Sequence, residues 1–280
     1  MNLRSPLLFI FYLCLTSWCF AQENSHIGGQ RPNIILILAD DMGYSDIGCF
    51  GGEINTPHID QLASGGISFT RMYTNAWCSP SRASLMTGLY PQQAGMGVLA
   101  EPRTGPPGPY QGYLSGHCVT LAEVLRQAGY TTAMSGKWHL GDSSAFWPVQ
   151  RGFDHAFGLI SGAANYFDIR KGKAPGIQRK MALNNNLYNP GADFFMTDAI
   201  TNDAVKVLEN QRNSTQPFFL YVAYTAPHWP LQALAPDIQK YKGKYREGWD
   251  AIRRERFARQ KKMGIINSNS SLPPPDADIT

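Results

Sequence analysis

An α/β domain with a mostly parallel central sheet flanked by helices is the fold this sequence predicts, on three observations. Two short unbroken apolar runs, "NIILILA" at 33–39 and "PFFLYVAY" at 217–224, have the length and composition of strands buried on both faces. Helical periodicity lies between them, in "TLAEVLRQAG" (Thr120 to Gly129) and from about Asp198 to Gln211. Strands that alternate with helices, rather than segregating from them, mark a parallel sheet. With 280 residues, 43% of them hydrophobic and 12% aromatic, the chain can bury a sizeable core and is too apolar for disorder.

The elements follow in order. The first 21 residues, "MNLRSPLLFIFYLCLTSWCFA", set one arginine ahead of an apolar run from Leu7 to Leu15 and place small residues Cys19 and Ala21 around Phe20. This reads as a cleaved secretory signal, since the apolar run is shorter than the ~20 residues of a spanning helix. The expectation is an exported chain, periplasmic, extracellular or secretory/lysosomal according to the host, with no membrane segment after cleavage. Cys49, Cys78 and Cys118 then remain, an odd number, so at least one stands outside any intramolecular disulfide.

The first apolar run stops at Asp40 and Asp41. A helix is expected from Cys78, with Pro80 in its first turn. The stretch from Glu101 to Gly116 is too rich in Gly and Pro for regular structure. Thr120 and Gly129 are the plausible caps of the next helix, and "YTTAMSG" reads as a strand ending at Lys137 and His139. The second apolar run ends just before Ala226, Pro227 and His228. Between Lys240 and Lys262 the chain carries ten basic and three acidic side chains, which accounts for the net charge of +4. That run reads as a solvated helix face with Glu255 and Arg259 paired at i,i+4, and no motif supports a nucleic-acid partner. The expected organisation is a signal over 1–21, one domain over 22–266, and a low-complexity tail over 267–280.

Asp40/Asp41, Lys137/His139 and His228 each fall at the carboxyl end of an expected strand, where open α/β sheets bind ligands. Taken singly, a lysine is usually solvated, and a histidine more often satisfies a local hydrogen bond than reacts. His58, in an expected short helix near the site, and His155, in an expected turn, stay with that structural reading, as do Trp138 and Tyr44 as packing or site walls.

Together the segments resemble a known family. "CSPSR" (Cys78 to Arg82) followed by "ASLMTG" resembles the sulfatase signature, and "GYTTAMSGKWH" (Gly129 to His139) resembles that family's second signature. "LADDMGYSD" and "APH" stand in the matching order around them, and the resemblance spans about Pro32 to Ile266. It implies an alkaline-phosphatase-like sulfatase fold and an arylsulfatase-like sulfuric ester hydrolase. It also implies that a maturation enzyme oxidises Cys78 to formylglycine, whose hydrate is the nucleophile, beside calcium (or magnesium) held by Asp40, Asp41 and residue 78. In the same pattern Arg82 holds the diol and neighbouring carboxylates, Lys137 neutralises a sulfate oxygen, His139 is a base and His228 is the acid for the departing alcohol.

A geminal diol suits this reaction because one hydroxyl attacks and the other collapses to a carbonyl, expelling sulfate by carbon–oxygen cleavage. The implied substrate is a sulfated small molecule or glycan. After His228 the sequence lacks the Asp-Asn pair and second lysine of such enzymes, so it resembles an N-terminal portion. Two carboxylates and a diol leave calcium short of its six to eight oxygens, and these 280 residues alone are expected to be weakly active or inactive. The competing readings are a phosphodiesterase or phosphonate hydrolase of the same superfamily, and a non-catalytic relative that binds sulfated glycans.

Overall fold

Side chains of a strand point alternately to opposite faces, and the apolar run at 217–224 uses that alternation to fill two separate cores. The computed structural model describes residues 31–100, 106–171 and 179–275. The signal reading of residues 1–21, the first part of the Gly/Pro-rich stretch and the last five residues of the tail lie outside the described residues.

In chain order the elements from Ile34 onward are β1 (Ile34–Asp40), α1 (Pro57–Ser64), α2 (Cys78–Thr87), α3 (Leu121–Gln127), β2 (Thr131–Gly136), β3 (His155–Leu159), β4 (Met181–Leu183), β5 (Asn186–Tyr188), α4 (Met196–Gln211), β6 (Phe218–Pro227), α5 (Ala235–Lys240) and α6 (Gly248–Lys262). The sheet runs β1-β6-β2-β3-β4-β5. β1, β6, β2 and β3 are parallel, and β4 and β5 close one side as antiparallel strands. The expected mostly parallel α/β architecture is thus the one observed.

On one face Phe219, Tyr221 and Ala223 of β6 and Met134 of β2 pack against Met86 of α2, Ala122 of α3, Trp138 and Phe153. On the other, Leu220 and Val222 of β6 and Ala133 of β2 lie under Met196, Ile200, Ala204 and Val207 of α4. The recurrence of those four positions at close to helical spacing is what docks α4 on the sheet. α3 begins with a complete capping box, in which Thr120 Oγ1 accepts from Glu123 N and Glu123 Oε2 accepts from Thr120 N.

Three expectations need correction. The run at 33–39 is not buried on both faces: among the described residues β1 is an edge strand paired only to β6, and Ile35 and Ile37 are 48% and 58% exposed. The reason is that α4 covers β6, β2 and β3 and not β1, so Ile34, Leu36 and Leu38 reach a core while their neighbours do not. The other run, in β6, is central and buried on both faces as expected. His155 opens β3 rather than a turn, and its Nε2 lies 3.0 Å from Asp203 on α4.

Of the basic run, α6 is more than a solvated face. Its Arg256 pairs with Glu53 and Asp46, and Arg259 Nε donates to the Gly51 carbonyl. The expected Glu255–Arg259 pair is present at 3.7 Å. All three described cysteines are free. A cleft of about 920 Å³ between α6 and the chain around Asp46 is lined by Glu53, Leu231, Trp249 and Phe257.

Candidate active site

Parallel strands deliver their carboxyl ends to one edge, and here three neighbours, β1, β6 and β2, end in Asp40/Asp41, His228 and Lys137/His139. Gly136 makes the exit from β2 possible. A Cβ there would lie 2.0 Å from the Ala223 carbonyl oxygen, and its φ of +130° suits glycine alone. The next three residues stay bound to the sheet, Lys137 N donating to Ala223 O, Trp138 N to Leu159 O and His139 N to Ile160 O. His139 and Asp41 both adopt left-handed backbone, φ +56° and +59°. Such strain in non-glycine residues clusters where function over-determines geometry.

Beneath the edge lies a buried ion cluster. Lys137 Nζ is 2.5 Å from Asp40 Oδ2, and Arg82 Nη2 is 3.3 Å from Asp40 Oδ1. Arg82 comes from α2, one turn beyond Cys78, and its Nη1 donates to the Lys137 carbonyl at 2.8 Å and to Tyr221 Oη at 3.2 Å. Two cations share one carboxylate in a site with almost no water. Burial and the Arg82 charge push the Lys137 ammonium below its ordinary value against the pull of Asp40. Burial also opposes charge on Arg82, but Tyr221 and Asp40 outweigh it and leave the guanidinium above its ordinary value. Among the described residues Arg82 Nε has no hydrogen-bond acceptor, and Nη2 meets Asp40 only through the 3.3 Å ion pair.

Above it stands a more open rim. Cys78, the first residue of α2, has its Sγ 3.3 Å from His139 Nδ1. Burial, then Lys137 and Arg82, hold the His139 imidazole well below its usual value, so it stays neutral and able to accept a proton. His228 Nδ1 lies 2.6 Å from the Trp229 carbonyl, which only accepts; Nδ1 therefore carries a hydrogen, and Nε2, 3.5 Å from Asp41, is the nitrogen that exchanges protons. Every residue expected at the site, Asp40, Asp41, Cys78, Arg82, Lys137, His139 and His228, lies at this edge.

The sequence did not announce three further participants. Tyr221 on β6 anchors Arg82 from the opposite side. Tyr166 has its hydroxyl 2.8 Å from Thr225 O and 2.7 Å from His228 O, which fixes the loop bearing His228, and burial pushes that phenol up to about 12. Gly162 packs against His139, where a Cβ would meet the imidazole at 2.3 Å. Only long-range packing reveals the last two. For Tyr221, a hydroxyl on the central strand was a signal.

Two predictions arise directly. Gly162→Ala should tilt the His139 ring and lower turnover on the order of 10²-fold, as misplacement by about 1 Å does, with little change in the denaturant midpoint; unchanged kcat would show that the ring has room to move. Second, above the unfolded imidazole pKa of ~6.5 neither state of His139 binds a proton. Below it the unfolded chain takes one up and the native chain does not, so stability falls as pH falls, by at most about 1.4 kcal/mol per pH unit from this group. Urea titrations between pH 7 and 5 should therefore show a shallower acid-side loss in His139→Gln than in the parent; identical slopes would refute the neutral, buried histidine.

Calcium takes six to eight oxygens, whereas both Asp40 oxygens already face cations and the described residues contain no group of three or more metal-ligating side chains. They do not make a complete cation site, so no step below is routed through a metal.

Buried cations beneath a thiol and two histidines, at the carboxyl edge of a parallel sheet, define an α/β protein whose site is arranged around an anion. The Sulfatase family model matches residues 32–269. An arylsulfatase of Klebsiella aerogenes is 39% identical over 251 residues, covering 87% of this chain and 53% of that protein. An uncharacterized sulfatase of Schizosaccharomyces pombe is 38% identical over 267 residues, covering 90% of this chain and 48% of its own. Among solved structures, Ps i-CgsB in complex with k-i-k-neocarrahexaose superposes with a TM-score of 0.66 at 34% identity, covering 84% of this chain and 54% of that one. BT4656 in complex with its substrate D-glucosamine-2-N,6-O-disulfate gives 0.62 at 30% identity, covering 77% and 38%. The chain belongs to the sulfatase family. It spans about half the length of the curated relatives it matches.

Proposed function

We propose that the protein hydrolyses sulfate monoesters through a formylglycine hydrate formed at residue 78. The observation that carries this reading is the convergence of Cys78, a neutral His139 and the Asp40–Arg82–Lys137 cluster at one edge of the sheet. Maturation by a formylglycine-generating enzyme removes the sulfur of Cys78 as sulfide and transfers two electrons to an oxidant that enzyme supplies. The thiol sulfur thus stands in for an oxygen of the later diol.

One diol hydroxyl releases its proton to solvent water as its oxygen attacks sulfur, the bond from sulfur to the alcohol oxygen breaks, and His228 Nε2 delivers the proton the alcohol needs. The residue now carries a sulfate on one oxygen. His139 takes the proton of the other hydroxyl, its electron pair forms the carbonyl, and the carbon–oxygen bond to sulfate breaks. Water then rehydrates the aldehyde. Lys137, Arg82 and the amides at the start of α2 counter the anionic charge through both steps. The family resemblance implies a calcium or magnesium ion near Asp40 and Asp41, for which the described residues alone do not supply a full ligand set.

The k-i-k-neocarrahexaose bound by Ps i-CgsB and the D-glucosamine-2-N,6-O-disulfate bound by BT4656 favour a sulfated saccharide as substrate. Export through a cleaved signal, the reading of residues 1–21, fits such a substrate. Paired assays on one aryl group esterified with sulfate, phosphate monoester or phosphodiester test the proposal. Turnover confined to, or at least tenfold faster on, sulfate is the expected result, and faster phosphodiester cleavage would overturn it.

A further inference from the structure

The chain after His139 lines a small pocket next to the residues that follow Gly162 and His228. It measures about 140 Å³ and is lined by Ala163, Ala164, Asn165, Lys171, Arg179, Trp229 and Pro230. Three connections tie it to the reacting groups. Trp229 follows His228, and its carbonyl fixes the His228 ring. Ala163 follows Gly162, which lies against the His139 imidazole. Lys180, next to Arg179, receives Ile160 N at its carbonyl and donates its own N–H to Ser161 Oγ, beside the strand end that carries His139. The charge of Arg179 reaches His139 and helps to depress its proton affinity.

The pocket is chemically distinct from the cluster around Asp40. It offers two cations, and no carboxylate of the described residues pairs with Arg179. One wall is the indole of Trp229, half exposed. Its volume is below the ~300 Å³ of a site for a whole drug-sized ligand, so it suits a substituent on a molecule anchored elsewhere. An arginine and a lysine lining one small space suit an anionic substituent, and an exposed indole face offers apolar surface to the carbons of a sugar ring.

We propose that this pocket is a second anion subsite, in which Arg179 and Lys171 bind a further sulfate or carboxylate on the saccharide whose scissile sulfate sits over Lys137 and Arg82, with Trp229 against the ring. The inference rests on the sulfate-ester reading and narrows it: the substrate is a polyanionic saccharide, and Arg179 is a specificity residue.

The test is calorimetric titration of the Cys78→Ala protein, which cannot turn substrate over, with inorganic sulfate, N-acetylglucosamine 6-sulfate and N-sulfoglucosamine 6-sulfate. The two sugars differ only in an acetyl or a sulfo group on the same nitrogen. The disulfate should bind about tenfold tighter than the monosulfate, the worth of one charge-assisted contact. Arg179→Gln added to this background should erase that preference and leave monosulfate affinity unchanged, with Lys171→Gln acting the same way to a smaller degree. Equal affinities for the two sugars, or a preference that survives Arg179→Gln, overturn the subsite while leaving the sulfate site standing. If none of the three sulfates binds, the sulfate reading itself fails and the subsite falls with it.

Discussion

Replacing Cys78 with serine is expected to abolish repeated turnover of a sulfate ester, by on the order of 10⁴-fold or more, and to leave the protein sulfated at that residue. A serine at the start of α2 would still be approached by His139, as the thiol is at 3.3 Å, and could still attack sulfur while His228 protonates the alcohol. It carries one oxygen on its β carbon, so it has no second hydroxyl to collapse and eject sulfate. Release would then need water to attack a crowded anionic sulfur, and the cations that favour the first attack hold the trapped ester in place. Intact-mass measurement after exposure to substrate should show one sulfate per chain in Cys78→Ser and none in Cys78→Ala, with neither variant turning over. A serine variant that cycles at the parental rate would remove the reason for a diol.

Asp40→Asn should destabilise the fold by about 3–5 kcal/mol, the usual result of leaving a buried charge without its partner. The effect is larger than for most single substitutions because two buried cations, Lys137 and Arg82, depend on the same carboxylate. Against a domain stability of roughly 5–15 kcal/mol, that loss brings the protein close to unfolding. Asp41→Asn is the control. Its side chain is 62% exposed and, among the described residues, its ion pair is with His228 at 3.5 Å, so the expected change is within about 1 kcal/mol. Urea midpoints for the two variants decide the matter, and equal losses would contradict the buried cluster.

The legibility of this fold in its sequence differed by element for physical reasons. The central strand β6 and the capped helix α3 were readable because burial on both faces and a capping box are local patterns. The edge position of β1 was not, since its apolar run resembles that of β6 and only the span of α4 distinguishes them. At the site, the residues on strand ends and in the two signatures were legible because chemistry and position coincide there. Tyr166 and Gly162 were not, because their roles depend on partners 62 and 23 positions away, His228 and His139. Arg179 carried no motif, and its neighbour Lys180 is brought to the strand end bearing His139 by a hydrogen bond from Ile160 N.

The central claim is that residue 78 acts as an aldehyde hydrate and not as a thiol. Mass spectrometry of the peptide bearing residue 78, taken from protein that hydrolyses a sulfate ester and was made alongside a formylglycine-generating enzyme, tests it most directly. The account predicts a peptide in which the CH2SH group has become CHO and which reacts with a hydrazide probe. Fully active protein whose peptide carries an intact, alkylatable thiol would contradict it.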